Sequence, residues 1–144
     1  MRRLATLEEL HAEATALAAR LTPRSDRATL VTLSGELGAG KTSLTQALAR
    51  AYGIEEHVTS PTFVLEKIYR LPEGKPFAHL VHIDAYRLKG GAELAPLGFD
   101  ELMKDSGTLV VLEWPELVAD GLPVADVSIQ LSVQPDETRL MTYG

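Results

Sequence analysis

Cysteine is missing from this 144-residue chain, which rules out disulfides, thiolate metal centres and a cysteine nucleophile. Asparagine is missing too, so any motif built on its side-chain amide is excluded. No stretch approaches the roughly 18 consecutive apolar residues of a membrane-crossing helix. Aromatics make up only 6% of the chain, with a single tryptophan. Basic residues are outnumbered 14 to 20 by acidic ones, for a net charge of −6, and they are scattered. Strong direct binding to RNA or DNA is therefore disfavoured, since that affinity rests on neutralising phosphates with Lys and Arg. The opening Met1 to Glu9 places acids where a signal peptide needs an apolar core, so a cytoplasmic location is expected. Internal repeats and low-complexity segments are absent as well.

What remains is ordinary globular composition, 45% hydrophobic and 24% charged, in a chain of one-domain size. One stretch dominates it. Gly35-Glu36-Leu37-Gly38-Ala39-Gly40-Lys41-Thr42 is a complete Gly-x-x-x-x-Gly-Lys-Thr phosphate-binding loop. Its glycines let consecutive backbone N–H groups converge on one anion. Lys41 offers a point charge for β- and γ-phosphates, and Thr42 a hydroxyl for Mg²⁺. The nucleotide-binding set is then Gly35, Glu36, Leu37, Gly38, Ala39, Gly40, Lys41, Thr42 and Ser43, and it predicts ATP and Mg²⁺ as ligands. A strand is expected before the loop, over Ala28 to Leu33. A helix is expected after it, with Leu44, Ala47, Leu48 and Ala51 at helical spacing and Tyr52-Gly53 as its end. A helix opening at the loop would place its unpaired N–H groups and positive dipole end under the same phosphates.

Upstream, Thr6-x-x-Glu9 is a capping box, and Leu7, Leu10, Ala14, Leu17 and Leu21 mark the apolar stripe of a helix ending before Pro23. Downstream, Phe63 to Tyr69 and Phe77 to Asp84 read as strands. The connection between them is too short for a parallel crossover, so they should pair antiparallel. Lys89-Gly90-Gly91 reads as a loop, Phe99 to Lys104 as a short helix, and Thr108 to Glu113 as a strand buried on both faces. Trp114-Pro115 ends that strand. Asp126 to Val133 alternates like a more exposed strand, and Arg139 to Tyr143 reads as an added edge. The expected fold is α/β: a single domain over residues 1–144 with the P-loop NTPase fold, its mixed, mainly parallel sheet carrying antiparallel strands and flanked by helices.

A phosphate loop working with Mg²⁺ needs an acid where a central strand ends. Asp84 and Glu113 both qualify, and the residues leave open which holds metal with Thr42 and which orients the attacking water. Thr62 lies where nucleotide switches sense the γ-phosphate. Arg87 reads either as a stabiliser of phosphoryl charge or as a surface ion pair. Trp114 reads as packing, or as a stacking surface for a base or partner. His57, His79 and His82 show no metal-ligand spacing and read as strand and loop residues. Three activities fit: a slow ATPase, a small-molecule kinase, or a nucleotide-dependent binding module with negligible turnover. Guanine specificity is disfavoured, because the Asn-Lys-x-Asp reader cannot exist without asparagine.

The loop together with Ser60-Pro61-Thr62-Phe63, His82-Ile83-Asp84-Ala85-Tyr86-Arg87-Leu88 and Leu112-Glu113-Trp114-Pro115-Glu116, in that order, resembles the TsaE (formerly YjeE) family over nearly the whole chain. That resemblance implies a bacterial P-loop ATPase required for N6-threonylcarbamoyladenosine (t6A) at position 37 of tRNA. It implies a protein that binds the TsaB–TsaD complex, and whose ATP cycle resets or licenses that complex without transferring the group itself. It further implies Lys41 and Thr42 on phosphate and metal, Thr62 in a switch-like loop, and Asp84 and Glu113 as the acidic pair with Trp114 beside them. Ala85 departs from the hydrophobic residue often found there. The resemblance assigns nothing to the tail after Val133.

Overall fold

In the computed structural model, residues 2–36, 38–55 and 66–143 are described. They run β1 (Arg2–Leu4), α1 (Leu7–Arg20), β2 (Thr29–Ser34), α2 (Lys41–Ala51), β3 (Glu66–Arg70), β4 (His79–Asp84), α3 (Phe99–Met103), β5 (Thr108–Glu113), β6 (Val127–Val133) and β7 (Arg139–Tyr143), with 3-10 turns at Gly91–Leu97, Pro115–Leu117 and Ala119–Gly121. The seven strands form one sheet in the order β1-β7-β6-β2-β5-β4-β3. Its middle is parallel, with β2 beside both β5 and β6 and β4 beside β5. Its flanks are antiparallel, β3 on β4 at one side and β6, β7 and β1 in succession at the other.

Why these runs take the centre follows from their apolar faces. Every residue of β5 is buried, as a strand with neighbours on both edges and cover on both faces must be. On one face Val31, Leu33, Leu109, Val111 and Leu80 pack beneath α1 and α2, contributed by Leu10, Ala14, Leu17, Leu44 and Leu48. On the other, Leu30, Val110, Leu112, Val81 and Ile83 pack beneath Leu94, Phe99, Met103 and Val118. Each such side chain contributes about 1.5–3 kcal/mol by leaving water.

α1 begins with a variant of its capping box, in which Glu9 bonds the residue before the N-cap instead of the N-cap itself. The Thr6 hydroxyl accepts from the Glu9 N–H at 3.1 Å, while the Glu9 carboxylate reaches back to the Ala5 N–H at 2.7 Å. Leu7, counted with the apolar stripe from sequence, is instead 62% exposed. Arg139 to Tyr143 is not an edge: β1 pairs outside it, Arg2 opposite Met141 and Leu4 opposite Arg139. A strand as short as β1 has too little length to show a period of two. Gly91, read as loop, starts a 3-10 helix that tolerates Pro96. The β3–β4 hairpin is antiparallel as expected, although Phe63 to Leu65 lie outside the described residues. Among the described residues no helix is long and apolar enough to cross a membrane.

The segment over the second sheet face is held by a close backbone approach. Gly91 N–H donates to the Asp120 carboxylate at 2.7 Å, and a Cβ added at Gly91 would lie 2.3 Å from Gly121 N and 2.5 Å from its Cα. Gly91→Ala is therefore expected to lower unfolding free energy by about 1–3 kcal/mol, read as a shifted urea midpoint at unchanged slope.

Candidate functional site

Three neighbouring parallel strands end at one edge of the sheet. β2 ends at Ser34 and passes into the phosphate loop, β4 ends at Asp84, and β5 ends at Glu113. The register sets Leu33 opposite Glu113 and Glu113 opposite Asp84. This carboxyl edge of an open α/β sheet is where such folds bind ligands.

The loop needs left-handed backbone at Gly38 and Gly40, with φ of 81° and 103°. At Gly35 the requirement is space as well, since an added Cβ would lie 2.3 Å from the Leu131 carbonyl oxygen. Gly40 opens α2 with no side-chain cap on the helix, so its first-turn N–H groups face the loop's own concavity. Lys41 is 5% exposed. Its ammonium donates to the Gly35 carbonyl at 2.5 Å and the Glu36 carbonyl at 3.0 Å, and it stands 4.3 Å from the centre of the Trp114 ring. Burial draws its pKa below that of an ordinary lysine, while Glu113, Asp84, Glu116 and Glu36 act in the opposite sense.

Glu113 is 2% exposed. Its Oε2 is hydrogen-bonded by Nε2 of His82, a fully buried imidazole on β4. The Thr42 hydroxyl stands 3.4 Å from Oε2 and 3.5 Å from Oε1. Asp84 is half-buried and accepts from the Tyr86 N–H at 3.1 Å. Trp114 turns the chain away from β5 in a left-handed conformation, φ 63° and ψ 51°, donates its N–H to the Leu33 carbonyl at 3.1 Å, and packs on the half-exposed Tyr86 ring at 5.1 Å. Gly38, Lys41, Thr42, Asp84, Glu113 and Arg139 are among the residues around a cavity of about 300 Å³ at this edge.

The donor set suits Mg²⁺. The ion takes oxygen ligands at about 2.0–2.1 Å, so adjacent ones lie about 3 Å apart, and it keeps several waters. The Thr42 hydroxyl and Glu113 carboxylate are nearly at that spacing. Mg²⁺ is usually held by one or two protein ligands together with substrate phosphates and needs no all-protein cage.

The structure thus brings together Gly35, Glu36, Gly38, Ala39, Gly40, Lys41, Thr42 and Ser43 with Asp84, Glu113 and Trp114. Leu37 and Thr62 lie outside the described residues. Arg87 is exposed and is not among the residues around the cavity. Two residues were missed. His82 read as a plain strand residue, yet it lies two positions before Asp84 and so on the same sheet face, which was the available signal. Arg139 arrives from the unassigned tail: its guanidinium donates to the Gly38 carbonyl at 3.3 Å and the Glu137 carbonyl at 2.6 Å. It also borders a second cavity of about 230 Å³ with Thr6, Gly40 and Ser43. Only the β6–β7 pairing brings it there, so no local pattern could have shown it.

This fold and edge define a single-domain protein of the P-loop NTPase class. Comparison with known proteins narrows the class. The family model described as threonylcarbamoyl adenosine biosynthesis protein TsaE matches residues 5–141, and the chain belongs to that family. A Streptomyces coelicolor protein named tRNA threonylcarbamoyladenosine biosynthesis protein TsaE is 51% identical over 89 residues, 60% of this chain and 57% of the relative's own length. One of the same name from Treponema pallidum is 38% identical over 119 residues, covering 83% of this chain and 84% of the relative. The crystal structure of Bacillus subtilis YdiB superposes with a TM-score of 0.77 at 32% identity, covering 99% of this chain and 82% of that one.

Gly35→Ala sets a side chain against the Leu131 carbonyl in a backbone conformation that L residues rarely adopt. The expected cost is about 1–3 kcal/mol of stability, measured by urea unfolding of the ligand-free protein.

Proposed function

We propose that this protein is an ATPase acting in t6A formation on tRNA through the TsaB–TsaD complex in the cytoplasm. The observation that carries the reading is the convergence of Lys41, Thr42, Asp84 and Glu113 on one cavity at the carboxyl edge of β2, β4 and β5. The names of the relatives supply the pathway. The net charge of −6 favours reaching tRNA through protein partners over direct contact.

The residues divide the work as follows. Backbone N–H groups of the loop and the first turn of α2 hold the phosphate oxygens. Lys41 leaves the Gly35 and Glu36 carbonyls for the β- and γ-phosphates, where its charge offsets what develops as the bond from the bridging oxygen to the γ-phosphorus breaks. Thr42 and Glu113 would hold Mg²⁺, which when bound supplies further neutralisation at the same oxygens. Asp84, oriented by the Tyr86 N–H, accepts a hydrogen bond from the water that attacks the γ-phosphorus. Arg139 borders the same cavity as these acids and would add positive charge beside the phosphates. Adenine is favoured over guanine because the chain has no asparagine for a guanine reader.

Turnover of ATP by the chain alone, and then with purified TsaB–TsaD, is the deciding assay. Slow release of ADP that rises on adding the complex is expected; no hydrolysis in either case refutes the reading. Lys41→Ala should weaken nucleotide binding by about 3 kcal/mol, roughly a hundredfold, and abolish t6A formation in the reconstituted system. Asp84→Asn should keep Mg²⁺-dependent binding and lose turnover, whereas Glu113→Gln should lose the Mg²⁺ dependence itself, both followed by calorimetry.

A further inference from the structure

His82 is a buried imidazole that this chemistry does not use. It is fully buried on the face of β4 that also carries Leu80 and Asp84, paired across the sheet with Val111 on one side and Lys67 on the other. An apolar side chain would fill that slot at lower cost, since a polar group taken from water needs a partner to offset its desolvation. The partner is Glu113: His82 Nε2 meets Oε2. An ionised carboxylate only accepts, and against one the Nε2–H tautomer of the imidazole is the donor. No described residue bonds Nδ1, so the ring makes one directed interaction, and that interaction is to the acid.

The two acids are oriented by different means. Asp84 is held by a backbone N–H from its own turn, Tyr86. Glu113 leaves the end of β5 on a long, flexible side chain, and nothing in its own strand fixes its terminal torsions. His82 supplies that restraint from the neighbouring strand, bonding the same Oε2 that stands 3.4 Å from the Thr42 hydroxyl. Without it, Oε2 would be a buried acceptor short of a strong donor, and the carboxyl group would rotate toward whichever donor it could reach.

We propose that His82 is a positioning residue for cation binding: it donates to Glu113 Oε2 and so holds the carboxylate toward the Thr42 hydroxyl. It sets how strongly Mg²⁺ strengthens nucleotide binding while touching neither nucleotide nor metal. The proposal rests on Glu113 and Thr42 being the Mg²⁺ ligands. It asks nothing of the protonation of either partner beyond the hydrogen bond seen. The chemistry is that of groups behind metal ligands generally, whose loss costs about 10- to 100-fold in metal affinity.

The test is calorimetric titration of the full chain with ADP, in excess Mg²⁺ and in EDTA, which yields the Mg²⁺-dependent gain in affinity without turnover. His82→Met fills the space and cannot donate; His82→Gln can donate an amide N–H. The expected result is that His82→Met loses about tenfold of the Mg²⁺-dependent gain while its affinity in EDTA stays at the native value, and that His82→Gln restores most of the loss. In a Glu113→Gln background, His82→Met should have no further effect on the Mg²⁺ dependence. An unchanged Mg²⁺ gain in His82→Met overturns the proposal. So does an equal loss with and without Mg²⁺, which would make His82 a packing residue alone. If His82→Met does not melt cooperatively, His82→Asn, polar but too short to hold Oε2, is read by the same criteria. A native chain that binds ADP no better with Mg²⁺ would instead sink the metal assignment under the proposed function, before any variant is made.

Discussion

A negative charge buried at the end of β5 is the constraint that the surrounding structure must meet. Glu113 is 2% exposed, and an ionised carboxylate tolerates that only when its oxygens are bonded and positive charge is near. Three elements supply what it needs: His82 from β4, the Thr42 hydroxyl from the first turn of α2, and Lys41 over the same cavity. His82 reaches it through the pairing of β4 with β5, which sets Asp84 opposite Glu113, and Thr42 and Lys41 through the pairing of β2 with β5, which sets Leu33 opposite Glu113. Slipping β4 by one residue would send His82 and Asp84 to the opposite face and strand the Glu113 carboxylate. Sheet register and site chemistry are therefore one constraint, enforced from below by the apolar residues that alternate with the polar ones.

The division of the sheet serves the same end. Parallel pairing of β2, β4 and β5 brings three carboxyl termini to one edge, which antiparallel neighbours could not do. Antiparallel strands then finish the sheet on both sides. One of them does more: β7 returns alongside β6 and starts at Arg139, so its first side chain reaches back to the Gly38 carbonyl. A cation is thus placed against the phosphate loop, at the cavity the acids also border.

Local patterns made much of this legible. The phosphate loop declares itself because its chemistry demands specific residues at adjacent positions. Asp84 and Glu113 stand out because each closes an apolar run, and the β3–β4 hairpin because the connection is short. Features fixed by long-range pairing were hidden. β1 is too short to carry a period, and it takes the edge that sequence had given to β7. Arg139 and His82 acquire meaning only through strands distant in sequence. Trp114 adopts a left-handed backbone with no glycine to announce it, since the Leu33 carbonyl and the Tyr86 ring hold it there.

Several unfavourable features gather at this same edge, and their place has a physical reading. Trp114, which leaves β5 with a positive φ, stands over Lys41 of the phosphate loop. Held backbone strain of this kind costs on the order of 1–3 kcal/mol per residue, and the buried Lys41 and Glu113 add desolvation. None of this would persist on a mobile loop, because relaxation would remove it. It persists here because β2 and β5 are sealed into the core on both faces, so the chain leaving them has little freedom in where it goes. The rigidity that stabilises the sheet is what lets charged groups stand close together, with their orientation set before any ligand arrives, and preorganised charge is the form in which a protein stabilises a reacting phosphate most effectively.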